Sequence, residues 1–381
     1  MKYRAFCGIF KKIKEKETVR MEQEEKWYNP QKMLSYNQFI NLIIGGRGIG
    51  KTFSIKKHLL KKHLKTGKQF IYLRRNKSEL DRIDKEKFFT TELLRQCFEG
   101  FEIIDMDASK IHTKIIFKAT NTGRPENTMT ISSTKIILNG KMVCYLKSLS
   151  TWVDLKGSEY DEVDDILFDE LLIDTASRKY YLKNEVEAFL NFLYSVFRKR
   201  TGCHAYLLSN ATNFNNPYFA FLRFYETDER RFYNLKNKRF LIEFPPNNPF
   251  ETEEDQENPF YHLIKGSKVY DSMVDNEFQV INNQNIRKIT GEKRRLFSFY
   301  LDGTFLTCYH TIEGFIYVAK GFDRNLSAYT IDLTEVENGL LYLERTSPIS
   351  RQLKRNYLNN IIVYKDLETK NKFMEVIEYV S

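Results

Sequence analysis

The sequence predicts an α/β fold in two parts, the first organised on a parallel sheet, and three observations carry this. An apolar strand at residues 39–44 (FINLII) runs into a glycine-rich loop and then a helix. A second strand at 69–73 (QFIYL) closes a strand–helix–strand unit, which implies parallel neighbours. The run Pro245-Pro246-Asn247-Asn248-Pro249, with the acidic ETEEDQEN after it, separates this part from a later series of strands.

The helix after the loop places Ile55, Leu59, Leu60 and Leu64 on one face and Lys57, Lys61 and Lys65 on the other. Gly67 ends it. Residues 101–149 are rich in strands and turns, and Asn139-Gly140 between apolar runs predicts a hairpin. Residues 165–168 (DILF) form a buried strand ending in carboxylates. A core helix over 185–199 carries the stripe Val186, Phe189, Leu190, Leu193, Val196 and Phe197, Gly202 stops it, and a strand at 203–208 (CHAYLL) follows. Beyond residue 283 come LFSFYL, FLTCYHT, GFIYVAK and AYTIDL, a second, sheet-based part. The expected divisions are a charged extension at 1–26, a first domain at 27–248, a linker at 249–282 and a second domain at 283–381.

Composition bounds the function classes. At 381 residues the chain has room for two domains of about 100 to 200 residues each. With 42% hydrophobic and 29% charged residues it can bury a core, which argues against disorder. No apolar run approaches the roughly 20 residues of a membrane span, and the N-terminal apolar stretch is too short for a secretory signal, so no membrane role and a cytosolic setting are expected. The five cysteines and six histidines have neither disulfide-framework nor zinc spacing. A net charge of +10 fits a polyanionic partner and equally a surface serving only solubility.

Chemistry enters with Gly45-Gly46-Arg47-Gly48-Ile49-Gly50-Lys51-Thr52, which satisfies GxxxxGK[ST] between a strand and a helix. Glycines let backbone N–H groups turn inward around phosphates, Lys51 reaches the β- and γ-phosphates, and Thr52 can ligate Mg²⁺. ATP and Mg²⁺ are the implied cofactors. Such a loop needs a carboxylate at the end of a neighbouring buried strand, and Asp169 is expected to serve the metal. Glu170 follows it and is expected to orient and deprotonate the attacking water. Asp161, Glu162, Asp164, Asp165 and Asp174 read as solvated loop charges, because none directly follows the apolar run. Asn210, after the 203–208 strand, either bonds the γ-phosphate or caps the next loop. Arg198 and Arg200, ending the core helix, either complement its dipole or supply an arginine finger; position alone does not choose.

Taken together, Tyr28-Asn29-Pro30-Gln31-Lys32-Met33-Leu34-Ser35-Tyr36, the loop GGRGIGKT, QFIYLRRNKSEL at 69–80, Phe168-Asp169-Glu170, Val196-Phe197-Arg198, Leu208-Ser209-Asn210-Ala211 and Asn216-Pro217-Tyr218-Phe219 resemble the DNA-packaging ATPases of phi29-type phages, collinearly over about residues 27–222. The resemblance weakens beyond, with LFSFYLDG and GFIYVAK its best echoes. It implies a P-loop NTPase domain of the additional-strand, catalytic-glutamate type and a smaller α+β C-terminal domain, RNase H-like, with a vestigial nuclease site and nucleic-acid binding. It implies Arg198 as a finger offered to the neighbouring subunit, Lys156 as a second basic residue acting across that interface, and Tyr28 and Gln31 near the adenine, with packing a rival account of Tyr28.

The same resemblance implies a motor that drives double-stranded DNA into a prohead as a homopentameric ring on the portal, in the host cytoplasm and transiently at the portal vertex. Some relatives also engage a packaging RNA. The acids Asp302, Glu313 and Asp323 are too dispersed for a two-metal nuclease site, so no cleavage is expected, and residues 120–134 form an extra stretch with no assigned role. Two other functions share the loop: a helicase-like translocase on single strands, and a scaffold that binds nucleotide without turnover, against which an intact Glu170 argues.

Overall fold

Among the described residues, strands of four to eight residues build an eleven-stranded sheet in the first of two units of the chain. The computed structural model describes residues 27–109, 111–155, 159–173, 179–224, 230–236, 238–246, 257–267, 270 and 285–380. The first unit draws on Met1–Leu171, Glu187–Ala211 and Arg230–Glu277. Its elements are β1 (Ile40–Ile44), α1 (Lys51–Thr66), β2 (Gln69–Arg74), β3 (Glu102–Ala108), β4 (His112–Lys118), β5 (Asn127–Ser132), β6 (Lys135–Leu138), β7 (Lys141–Ser148), β8 (Val163–Phe168), α2 (Glu185–Phe197, from Glu187 on), β9 (His204–Ser209), β10 (Phe232–Leu235) and β11 (Phe240–Glu243).

The sheet order is β10-β11-β1-β9-β8-β2-β7-β6-β5-β4-β3. From β11 to β7 every pairing is parallel, and beyond β7 every pairing is antiparallel. All five residues of β1 and four of the six in β2 are buried, the continuous apolar run of a strand covered on both faces. Helix α1 buries Ile55, Leu59 and Leu60 as its stripe predicts, and Gly67, at φ 74°, ends it with its N–H donating to the His63 carbonyl at 2.7 Å. The Asn139-Gly140 hairpin is present between β6 and β7, both residues at positive φ (52° and 79°). The stretch 120–134 contains β5 and so extends the antiparallel part of the sheet.

Asp165 departs from the expectation of a solvated charge. Strand β8 starts two residues earlier, at Val163, so Asp165 lies inside the sheet at 2% exposure, and Lys62 of α1 meets its Oδ2 at 2.6 Å.

The second unit comprises Leu172–Val186, Thr212–Glu229 and Phe278–Ser381. It contains α3 (Pro217–Leu222), β12 (Lys293–Leu301), β13 (Thr304–Thr311), β14 (Ile316–Lys320), β15 (Ala328–Thr330), β16 (Leu341–Tyr342), α4 (Pro348–Leu358), β17 (Ile362–Tyr364) and α5 (Leu367–Val380). The order is β16-β15-β12-β13-β14-β17: an antiparallel meander of three strands with parallel strands added on both sides. Its core joins Phe299, Leu306, Cys308 and Val318 to Phe373, Val376 and Ile377 of α5.

This division differs from the contiguous split expected at 248 and 283. Ala220 of α3 sits in that core, Arg223 pairs with Glu378 at 2.7 Å, Asn213 donates to the Leu358 carbonyl at 3.0 Å and Asn215 to Asn360 Oδ1 at 2.7 Å. Apolar burial and asparagine hydrogen bonds therefore recruit residues 212–224 to the C-terminal unit, a long-range preference that no local composition shift marks.

Candidate active site

The glycine-rich loop joins β1 to α1, with Gly48 at φ 90° and Gly50 at φ 86°, backbone that favours glycine. Gly50 caps α1 without a side chain. A Cβ on Gly45 would come within 2.7 Å of Cδ1 of the fully buried Ile49, so the loop folds on itself where only glycine fits without a shift. The Tyr28 N–H donates to the Ile49 carbonyl at 2.8 Å, and Ser54 donates to the Tyr28 carbonyl at 2.6 Å, tying the loop to the segment before β1. Lys51 is buried, its ammonium donating to the carbonyls of Gly45 (2.9 Å) and Gly46 (2.7 Å) and to Asn210 Oδ1 (3.1 Å). Burial pushes the Lys51 ammonium down to about 8, Asp169 opposing the shift and Arg47 adding to it. The Arg47 side chain is exposed.

The second half of the site stands on β8 and β2. Leu73 is in register with Phe168, so the ends of the two strands lie side by side, and the Asp169 N–H donates to the Leu73 carbonyl at 3.2 Å. The Thr52 hydroxyl reaches Asp169 Oδ1 at 3.2 Å and Oδ2 at 3.3 Å, and the Tyr72 hydroxyl donates to Oδ2 at 2.9 Å. Glu170 adopts φ 60°, uncommon for a residue with a side chain. Arg75, 1% exposed, holds this turn by donating to the carbonyls of Glu170 (3.3 Å) and Leu171. The Glu170 carboxylate is exposed, with Arg74 Nη2 at 2.6 Å from Oε2, while the same guanidinium lies 3.8 Å from Asp169 Oδ2 and 3.4 Å from Glu79 Oε2.

Gly45 to Thr52, Asp169, Glu170 and Asn210 are thus brought together at the C-terminal ends of β1, β8 and β9. Three oxygens near α1's start, the Thr52 hydroxyl and the two of Asp169, suit a hard divalent cation, and the loop's glycines and Lys51 suit a polyphosphate.

The remaining residues fall elsewhere. Arg198 ends α2 at φ 50° with an exposed side chain. Arg200 is fully engaged: it donates to the carbonyls of Asp161 (2.7 Å), Tyr160 (2.9 Å), Val163 (2.7 Å) and Val196 (2.9 Å) and to Asp164 Oδ1 (3.1 Å). Of the two arginines, only Arg198 is free to reach outward. Lys156 lies outside the described residues. Tyr28 is 2% exposed, its hydroxyl donating to Glu243 Oε2 at 2.8 Å, so it packs within the fold. Gln31 is exposed, its N–H bonded to Asn29 Oδ1 at 3.1 Å.

Sequence reasoning missed Tyr72, Arg74 and Arg75. The signal was present, since QFIYLRR ends a strand adjacent to the one carrying Asp169, but only the register sets which of its residues lies opposite the carboxylates.

The family model for the podovirus DNA encapsidation protein (Gp16) matches residues 22–108 and 109–378. The DNA packaging protein of Bacillus phage B103 is 30% identical over 355 residues, covering 91% of this chain and 97% of that protein. Among solved structures, the bacteriophage Phi-29 viral genome packaging motor assembly matches with TM-score 0.55 and 26% identity over 93% of this chain and 100% of that one. The Phi-28 gp11 DNA packaging motor matches with TM-score 0.67 and 23% identity over 94% and 98%. A family-model match along nearly the whole chain makes this protein a member of the podovirus DNA encapsidation protein (Gp16) family.

Proposed function

We propose that this chain is a subunit of a viral packaging motor that hydrolyses ATP to drive double-stranded DNA into a prohead. One observation carries the reading: Lys51 meets Asn210 at 3.1 Å while Thr52 meets Asp169 at 3.2 Å, which supports Asn210 as a sensor of the terminal phosphate and Asp169 as the metal carboxylate. The order β11-β1-β9-β8-β2, with β9 inserted between the strands that carry the loop and the carboxylates, supports the additional-strand, catalytic-glutamate class. The meander β12-β13-β14 with β15 and β16 parallel beside β12 supports an RNase H-like second domain. The acids of this part, Asp302, Glu313 and Asp323, are dispersed along the chain, and we expect no cleavage.

In this mechanism the loop amides and Lys51 hold the phosphates, and Thr52 and Asp169 would hold Mg²⁺, which would supply positive charge beside the transferred phosphoryl group. Glu170 takes the proton of the attacking water, Asn210 registers the terminal phosphate, and Arg198 reaches the phosphate of a neighbouring subunit; Lys156, by resemblance alone, is a second basic residue for that role. A pentameric ring on the portal, at the prohead vertex within host cytoplasm and with a packaging RNA in some relatives, is the assembly this implies. ATP turnover measured with DNA and proheads tests the reading: stimulation by both is expected. Failure of the purified chain to retain nucleotide in Mg²⁺ overturns it.

A further inference from the structure

Tyr72 is a buried side chain that the mechanism above leaves unused, although its hydroxyl lies 2.9 Å from Asp169 Oδ2. It sits on β2, in register with Leu167 of β8, at 4% exposure. Its ring packs edge-on against Phe88 with centroids 5.1 Å apart and an interplanar angle of 79°, and Phe88 in turn packs on Phe89 at 4.9 Å. The Lys56 ammonium, itself buried, stands 4.9 Å from the Tyr72 ring centroid and 3.8 Å from that of Phe88 while donating to the Phe88 carbonyl at 3.0 Å. Burial and these contacts constrain the ring and with it the hydroxyl.

A carboxylate has about four lone-pair directions. At Asp169 the Glu170 N–H takes one on Oδ1 at 3.2 Å and Tyr72 one on Oδ2, while the Thr52 hydroxyl spans both oxygens on the side of the loop. We infer that Tyr72 is a positioning residue for the metal-binding carboxylate: its hydroxyl fixes the plane of Asp169 so that the remaining lone pairs face the cation beside Thr52. The inference rests on Asp169 being the metal carboxylate.

The test uses Mn²⁺ as the probe, titrated by electron paramagnetic resonance into the full chain with ADP present. Outer-shell partners of metal ligands are worth roughly 10- to 100-fold in metal affinity, and Tyr72→Phe is expected to weaken Mn²⁺ binding about tenfold while leaving ADP affinity in EDTA unchanged. Phe88→Leu, which loosens the ring packing but keeps the hydroxyl, is expected to bind Mn²⁺ like the parent. Equal weakening in both variants assigns the effect to packing and overturns the inference. So does parental Mn²⁺ affinity in Tyr72→Phe alongside loss in Asp169→Asn. If Asp169→Asn itself binds Mn²⁺ normally, the underlying reading of Asp169 falls, and this inference with it.

Discussion

Arg74 and Glu170 form an ion pair across the ends of neighbouring strands, Nη2 to Oε2 at 2.6 Å, and Glu170 reaches it from a left-handed backbone conformation at φ 60°. The proposed base is therefore aimed from two sides: Arg75 holds its carbonyl and Arg74 its carboxylate.

That geometry separates nucleotide binding from turnover. Glu170→Gln is expected to retain nucleotide, because Lys51 and the loop amides, not Glu170, are assigned to the phosphates, while turnover falls by at least about 10²-fold with loss of the base. Arg74→Ala is expected to lower kcat by about tenfold to 10²-fold through misplacement of Glu170, again with nucleotide affinity retained. Steady-state ATPase rates beside equilibrium nucleotide binding check both. A kcat for Glu170→Gln equal to the parent's removes the base assignment.

Arg198 and Arg200, two residues apart, are expected to fail differently. Arg198→Ala should fold normally and lose turnover on the scale of an arginine finger, roughly 10³-fold or more. Mixing Arg198→Ala with Glu170→Gln subunits should restore part of the activity, since some interfaces then pair an intact base with an intact finger. Absence of recovery at every mixing ratio counts against action in trans. Arg200→Ala should instead lower the melting temperature, its donations to four carbonyls and Asp164 being worth about 1.5–3 kcal/mol.

Glu243 supplies a pH-dependent prediction. It is fully buried between Tyr28 and Arg231, and burial raises its carboxyl above the ordinary glutamate value even though Arg231 and Tyr28 pull it down. Removing the guanidinium in Arg231→Ala should raise it further. A carboxyl raised in the folded state contributes stability that is complete below its unfolded value and is lost as pH rises through its folded value. The variant should therefore melt higher near pH 5 than near pH 8, relative to the parent at the same pH. A difference independent of pH overturns this account.

Lys62 and Asp165 give an asymmetric pair. Lys62→Ala takes from the 2% exposed carboxylate the ammonium that meets it at 2.6 Å, and should cost about 3 kcal/mol. Asp165→Asn leaves a lysine that is partly exposed and can turn to water, and should cost less. Denaturant midpoints of the two variants decide it; an equal or reversed order removes the buried-charge explanation.

The sequence by itself determined what depends on neighbours along the chain: the loop Gly45–Thr52 between a strand and a helix, the Asn139-Gly140 hairpin, the buried run before Asp169 and Glu170, and the stripe of α2. Local sterics and hydrophobic period specify such features, since glycine's freedom and the spacing of apolar side chains act within a few residues. Only the tertiary structure decided what depends on register and long-range burial. It placed Tyr72 and Arg74 against Asp169 and Glu170, buried Asp165 under Lys62, engaged Arg200 while leaving Arg198 exposed, sank Tyr28 onto Glu243, and moved residues 212–224 into the C-terminal unit. Each of these partnerships joins residues far apart in sequence or sets the direction of a single side chain. A shift of one residue in a strand's pairing would turn every such side chain to the other face, and that register is fixed by the packing of the whole sheet.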